Sequence, residues 1–226
     1  FLYVQAQLNE YTIEANFSSD LTSTEIKQTA VFTNSTSNSL AKIYLNDWSH
    51  AFSDTKTPLA NHFAEEYSFR FQRADASSRG ATSIHKILDS QGKPIRWKRL
   101  KNQPDIIELE LTEELKENAS IEISISYKIS FPSDKFTGFG ISDKKNVHLS
   151  FWYLTFAGIN KEGWILDSHL NLDDLYVELS QFDVKISLPN THSLVTDFPF
   201  KKSNFANTHF FSGTAQRKHI PIHIVK

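Results

Sequence analysis

Nine histidines are the residues of this chain best suited to hold a metal, and none of them is followed by glutamate. An H-E-x-x-H helix sets two imidazoles one turn apart on zinc and uses the glutamate to activate water, so no such helix forms within these residues. His219-Ile220-Pro221-Ile222-His223 does put two imidazoles four positions apart. The proline and the β-branched residues between them favour an extended strand, where positions i and i+4 share a face about 13 Å apart, too far to share one ion. Asp167, Asp173 and Asp174 gather carboxylates that could serve calcium or general acid-base chemistry. Their spacing is not that of a calcium loop, and a solvated loop or a helix start is the plainer reading.

The other common chemical signatures are missing. No G-x-S-x-G elbow, P-loop or G-x-G-x-x-G occurs, and the absence of cysteine removes thiolate nucleophiles, thiolate metal sites and disulfides. Gly138-Phe139-Gly140 has no strand-to-helix context and reads as a tight turn beside an aromatic anchor rather than a phosphate cradle. Trp48, Trp97, Trp152 and Trp164 could stack on sugar rings if exposed, whereas core packing is the commoner use of such side chains. The segment carries no complete active site of its own.

The elements that must position these residues are strands. Short runs alternate apolar and polar residues between clusters of Asn, Ser, Asp, Gly and Pro, the period-two pattern of half-buried strands. It predicts strands over Tyr11–Phe17, Glu25–Thr33, Leu40–Leu45, Tyr67–Arg73, Ile84–Asp89, Ile95–Leu100, Ile106–Leu111 and Ile121–Phe131. Later ones fall at Val147–Phe156, Leu175–Leu188, His192–Thr196 and Phe210–Gln216. Ile84–Arg99 reads as a hairpin turning at Asp89–Pro94. In Ser120–Ser130, Ile121, Ile123, Ile125, Tyr127 and Ile129 share one face opposite Glu122, Ser124, Ser126 and Lys128. Asn61–Glu66 and Thr112–Asn118 are expected to form helical turns. The fold class is therefore all-β: a large saddle-like or sandwich arrangement of mostly antiparallel sheets with few short helical turns.

At 226 residues, one large β domain over 7–226 is favoured over two small ones. Hydrophobic residues at 39% against 22% charged suit a chain that buries a core. The formal charge of −2 gives no field to draw nucleic acid or an anionic membrane surface. No stretch approaches the roughly 20 apolar residues of a membrane span. Residues 1–6, Phe-Leu-Tyr-Val-Gln-Ala, read either as the end of a signal segment closing on a small-x-small site, or as an ordinary terminus. On the first reading the protein is exported to the periplasm, outer surface or medium. The missing initiator methionine and the abrupt apolar end, Ile220–Lys226, suggest a piece of a longer protein.

Three segments, in order, resemble one family. Tyr44-Leu45-Asn46-Asp47-Trp48-Ser49-His50-Ala51-Phe52-Ser53-Asp54, preceded by Gln28–Ser35 and followed by Thr57-Pro58-Leu59-Ala60, is similar to a strand and loop in the N-terminal domain of the membrane alanyl aminopeptidases, gluzincin zinc metallopeptidases, in their bacterial branch. Phe151-Trp152-Tyr153 with Glu162-Gly163-Trp164 resembles that domain's Gln-Trp-Tyr-Pro strand and Gly-Trp-His. Asp174–Leu179 through Phe182–Pro189 looks like the strand pair closing the domain. The departures are Phe151 in place of a Gln that can meet a substrate's amino end, Leu154 in place of Pro, and Ile165 in place of His.

The resemblance implies a non-catalytic domain packed on its own C-terminal catalytic domain, which would hold the zinc and the peptide substrate. This segment would hold no cofactor or metal. It would form one wall of the cleft, with Trp152, Tyr153, Trp164, Asp167 and Asp174 as the interface or wall residues. The alternative, a secreted carbohydrate- or protein-binding sandwich, predicts a wet aromatic platform and saturable binding by the chain alone.

Overall fold

A computed structural model of the chain describes residues 8–172 and 175–226. Its largest sheet has seven strands, in the order β15 (Lys201–Phe205), β16 (Thr208–Arg217), β13 (Ser180–Pro189), β1 (Asn9–Phe17), β2 (Ser23–Thr33), β7 (Ser120–Ser130) and β4 (Ala81–Asp89). Only the β1–β13 pairing in this sheet is parallel. A four-stranded sheet runs β10 (Thr155–Phe156), β3 (Leu40–Asn46), β6 (Gln103–Leu115), β5 (Arg96–Leu100). A second runs β14 (Ser193–Val195), β17 (Ile222–Val225), β9 (Val147–Leu149), β8 (Gly140–Ile141), and β11 (Gly158–Asn160) with β12 (Gly163–Ile165) makes a separate ribbon. The architecture is all-β and mostly antiparallel.

Period-two patterning decides which face each long strand buries. In β1, Tyr11, Ile13, Ala15 and Phe17 point inward while Glu10, Thr12, Glu14 and Asn16 face out. Its partner β13 does the same with Phe182, Val184, Ile186 and Leu188, and β7 buries Ile123, Ile125, Tyr127 and Ile129. These inner faces meet the short sheets in one core that also takes in Leu45, Leu109, Trp152, Phe156 and Ile222. A smaller cluster of Phe52, Leu59, Ala60, Phe63 and Phe71 lies under the helical insertion between β3 and β4. There α1 (Pro58–Glu65) starts where Thr57 Oγ1 accepts the Ala60 N–H at 3.2 Å and Pro58 takes the first helical turn.

Several expectations are corrected. Tyr67–Arg73 is not a strand: Tyr67 takes a left-handed φ of 59° and α2 (Arg70–Arg73) follows. Of its alternating aromatics only Phe71 is buried, so no inner sheet face exists for the pattern to match. The Thr112–Asn118 stretch is strand as far as Leu115, then a turn with Asn118 at φ 58°. Val147–Phe156 is interrupted between Leu149 and Thr155, and the strand expected from Leu175 begins at Ser180.

The Asp89–Pro94 turn forms, with Asp89 N–H donating to the Lys93 carbonyl at 2.9 Å. Its arms then part, β4 into the seven-stranded sheet against β7 and β5 into the four-stranded sheet against β6. The expected hairpin is thus a corner that carries the chain between sheets.

Candidate functional site

The interrupted segment after β9 is where the family-like motifs converge. Phe151 sits at φ 52°, a left-handed conformation that a bulky side chain rarely adopts. Its half-buried ring meets the edge of Trp48 at 4.9 Å and lies 5.0 Å from the exposed His219 ring. Strain of this kind persists only where the surroundings over-determine it, and here they do. Trp152 Nε1 donates to the Ile220 carbonyl at 2.9 Å, and the Ile220 N–H donates to the Tyr153 hydroxyl at 3.0 Å. Leu154 N–H donates to the Tyr127 hydroxyl and Phe156 N–H to that of Tyr11, while Gln28 Nε2 donates to the Leu154 carbonyl at 2.7 Å. An irregular segment can cross a core only if its backbone polar groups find partners, and tyrosine hydroxyls supply them here. Burial holds the Tyr11, Tyr127 and Tyr153 hydroxyls protonated by pushing each pKa up.

Behind Trp48 lies a buried polar cluster. Asp47, 1% exposed at the end of β3, takes Arg99 Nη2 at 2.7 Å and the Thr82 hydroxyl at 2.6 Å. Arg99 also donates to the carbonyls of Pro104 and Thr82. Thr82 N–H donates to His50 Nδ1 at 3.1 Å, so the imidazole accepts and is neutral. Burial, with the Arg99 charge adding to it against the pull of Asp47, lowers the His50 pKa to about 4. Asp105, fully buried on β6, accepts the Ser168 hydroxyl at 2.9 Å and the His169 N–H at 2.8 Å. Burial raises the Asp105 pKa and lowers that of His169 to about 4. Asp105 thus pins the loop after β12, with help from Gln103 Nε2 on the Leu166 carbonyl and Trp48 Nε1 on the Asp167 carbonyl.

Asp105, Ser168 and His169 have the residue types of a hydrolytic triad but not its wiring. Ser168 donates directly to the carboxylate, and His169 joins through its backbone, so no imidazole is placed to take the serine proton. Among the described residues no group of three or more His, Asp or Glu is placed to hold a metal ion. The arrangement shapes and braces a surface.

The residues expected to wall a cleft fall in different places. Trp152 and Tyr153 are 0% and 3% exposed and have no surface to present to a neighbour. Trp164 is half-buried against Phe32 and Tyr44, on the edge of a recess of about 520 Å³ shared with Thr36, Asn38, Asn160 and Glu162. Asp167 is exposed beside Trp48, and Asp174 lies outside the described residues. Sequence reasoning missed Asp47, Arg99 and Asp105. Asp105 carried a signal, since it stands in phase with the inward-facing Ile107 and Leu109, where an unpaired acid would be costly.

Neither a family model nor a curated protein matches the sequence. Solved structures do match in fold. A two-domain M1 zinc metallopeptidase variant bound to L-tryptophan aligns with a TM-score of 0.57 at 11% identity, over 96% of this chain and 42% of its own. An M1 zinc metallopeptidase variant from Deinococcus radiodurans bound to a Tyr-Ser-Ala substrate gives 0.56 at 10% identity, with the same coverages. The M1 zinc metallopeptidase of that organism gives 0.55 at 10% identity, over 96% and 41%. The chain spans about 42% of the length of these neighbours. At this identity the likeness is one of fold: the chain has the fold of the N-terminal β domain of M1 zinc metallopeptidases.

Proposed function

We propose that this chain is the non-catalytic N-terminal β domain of an exported, zinc aminopeptidase-like metallopeptidase, packed on a catalytic domain and walling one side of its peptide cleft. The observation that carries the reading is the match of 96% of this chain to less than half of each M1 neighbour. Exposed Leu172, Tyr176 and Leu179 support it as well. Exposed apolar side chains of this kind are what domain interfaces use. Zinc belongs to the catalytic domain in this proposal. Phe151 offers a substrate a ring face and no amide, so the domain contributes shape rather than a grip on the substrate's amino group.

The test is the coding sequence beyond the Lys226 codon. An H-E-x-x-H motif followed by a later glutamate ligand is expected; a stop codon, or a following domain without those ligands, would overturn the proposal. Export is tested by the N-terminal residue of the protein as isolated from its source, with a start at Gln7 expected. A second reading, a carbohydrate-binding module, has one observation in its favour, the recess where half-buried Trp164 meets polar Thr36, Asn38, Asn160 and Glu162. Saturable oligosaccharide binding lost in Trp164→Ala would favour it.

A further inference from the structure

β9 and β17 run antiparallel with His148 directly opposite His223. Both side chains stand on the outer face, alternating with buried Val147, Leu149, Ile222 and Ile224. Their rings stack, with centroids 3.9 Å apart and planes inclined by 17°. Residues 75 positions apart in sequence are thus brought into ring contact by strand register, and a one-residue slip of either strand would turn its own histidine into the core.

Two features suit this pair to a ligand. Strand register holds both exposed rings in contact on one face of the sheet. Across the sheet the row at this level reads Val195, His223, His148, Gly140. Neither end of it brings a charge, and Gly140 leaves the flank beside His148 without a side chain.

We propose that His148 and His223 form a two-imidazole site for a borderline divalent transition-metal ion, Cu²⁺, Ni²⁺ or Zn²⁺, with water completing the coordination. Metal–nitrogen bonds of about 2.0–2.1 Å need the two nitrogens roughly 3 Å apart. Opposed cross-strand residues have Cβ atoms about 4.5–5.5 Å apart, so rotation about the side-chain bonds brings one nitrogen of each ring to a common ion. Imidazole selects these metals over Mg²⁺ and Ca²⁺, which prefer oxygen. His219, though four residues from His223, packs on Phe151 instead and takes no part.

The test is calorimetric titration of the 226-residue chain with Cu²⁺ and with Ni²⁺ at neutral pH, Mg²⁺ serving as control, beside imidazole NMR spectra. One ion per chain is expected, with paramagnetic broadening by Cu²⁺ strongest at His148 and His223. His148→Ala and His223→Ala should each weaken binding by at least the roughly 10- to 100-fold that loss of an outer-shell partner costs a metal site. His219→Ala should leave it unchanged. His148→Gln, which keeps a polar side chain on the strand, should show the same loss, and the metal-induced rise in Tm should vanish with it. No binding, affinity unaltered in either single variant, or broadening centred on other histidines would overturn the site.

Discussion

The Tyr153 hydroxyl accepts the Ile220 N–H at 3.0 Å, at a point where neither residue has any measurable access to water beyond 3% of its surface. With Trp152 holding the carbonyl of the same residue, the irregular segment after β9 is fastened to the chain entering β17. Tyr153→Phe keeps the ring but strands a buried donor, so it should lower stability by about 1–3 kcal/mol, read as a lower urea midpoint with unchanged slope. An unchanged midpoint would mean that the segment is held by ring packing alone.

The Asp47–Arg99 pair should behave differently from the ion pairs on the surface. Arg99→Ala leaves the Asp47 carboxylate, 1% exposed, with only the Thr82 hydroxyl, and about 3 kcal/mol of destabilisation is expected. Arg96→Ala removes a pair whose side chains are 83% and 38% exposed, and should change stability by no more than about 1 kcal/mol. Denaturant titration of both variants against the parent checks the contrast, and equal losses would contradict it.

Much of this architecture was legible in the sequence because burial and period two coincide in β1, β2, β7 and β13, where most inward residues are apolar and most outward ones polar, buried Gln28 and Thr24 of β2 being exceptions. Legibility failed where both faces are buried. Trp152 to Ala157 are all inside, so their apolar run looked like a continuation of Val147–Leu149 although the backbone turns at Phe151. It failed again where polar groups are satisfied at long range, since nothing local to Asp47 announces Arg99 or Thr82. Of the residues expected at an interface, Asp167 reached the surface; Trp152 and Tyr153 were drawn into the core by Ile220.

His50 and His169 make stability depend on pH. Both have pKa values of about 4 in the folded chain, below the ordinary imidazole value of 6.5, so the unfolded chain binds protons more readily. Their contribution is complete above about pH 6.5 and is lost as pH falls toward 4, on the order of 2 kcal/mol each once solvent access to these half-buried rings is allowed for. The raised Asp105 pKa acts in the opposite sense and recovers part of the loss at the acid end. Urea midpoints measured down this range should fall for the parent chain, and more shallowly for His169→Phe. Parallel curves would remove His169 from the account.

Phe151 sets two effects against each other, and replacing it separates them. Truncation to alanine removes the contacts with Trp48 and His219 but keeps a Cβ at φ 52°, so the left-handed strain of about 1–2 kcal/mol stays while its compensation goes. Glycine removes the same contacts and the strain together, at the cost of a more flexible unfolded chain. Phe151→Gly should therefore be more stable than Phe151→Ala by roughly 1 kcal/mol, the reverse of the order found inside helices and strands. Both should fall below the parent if ring packing on Trp48 is what holds the turn. Should Phe151→Gly instead exceed the parent, the ring would be a net burden on the isolated fold. Thermal melts of the three proteins decide between these outcomes.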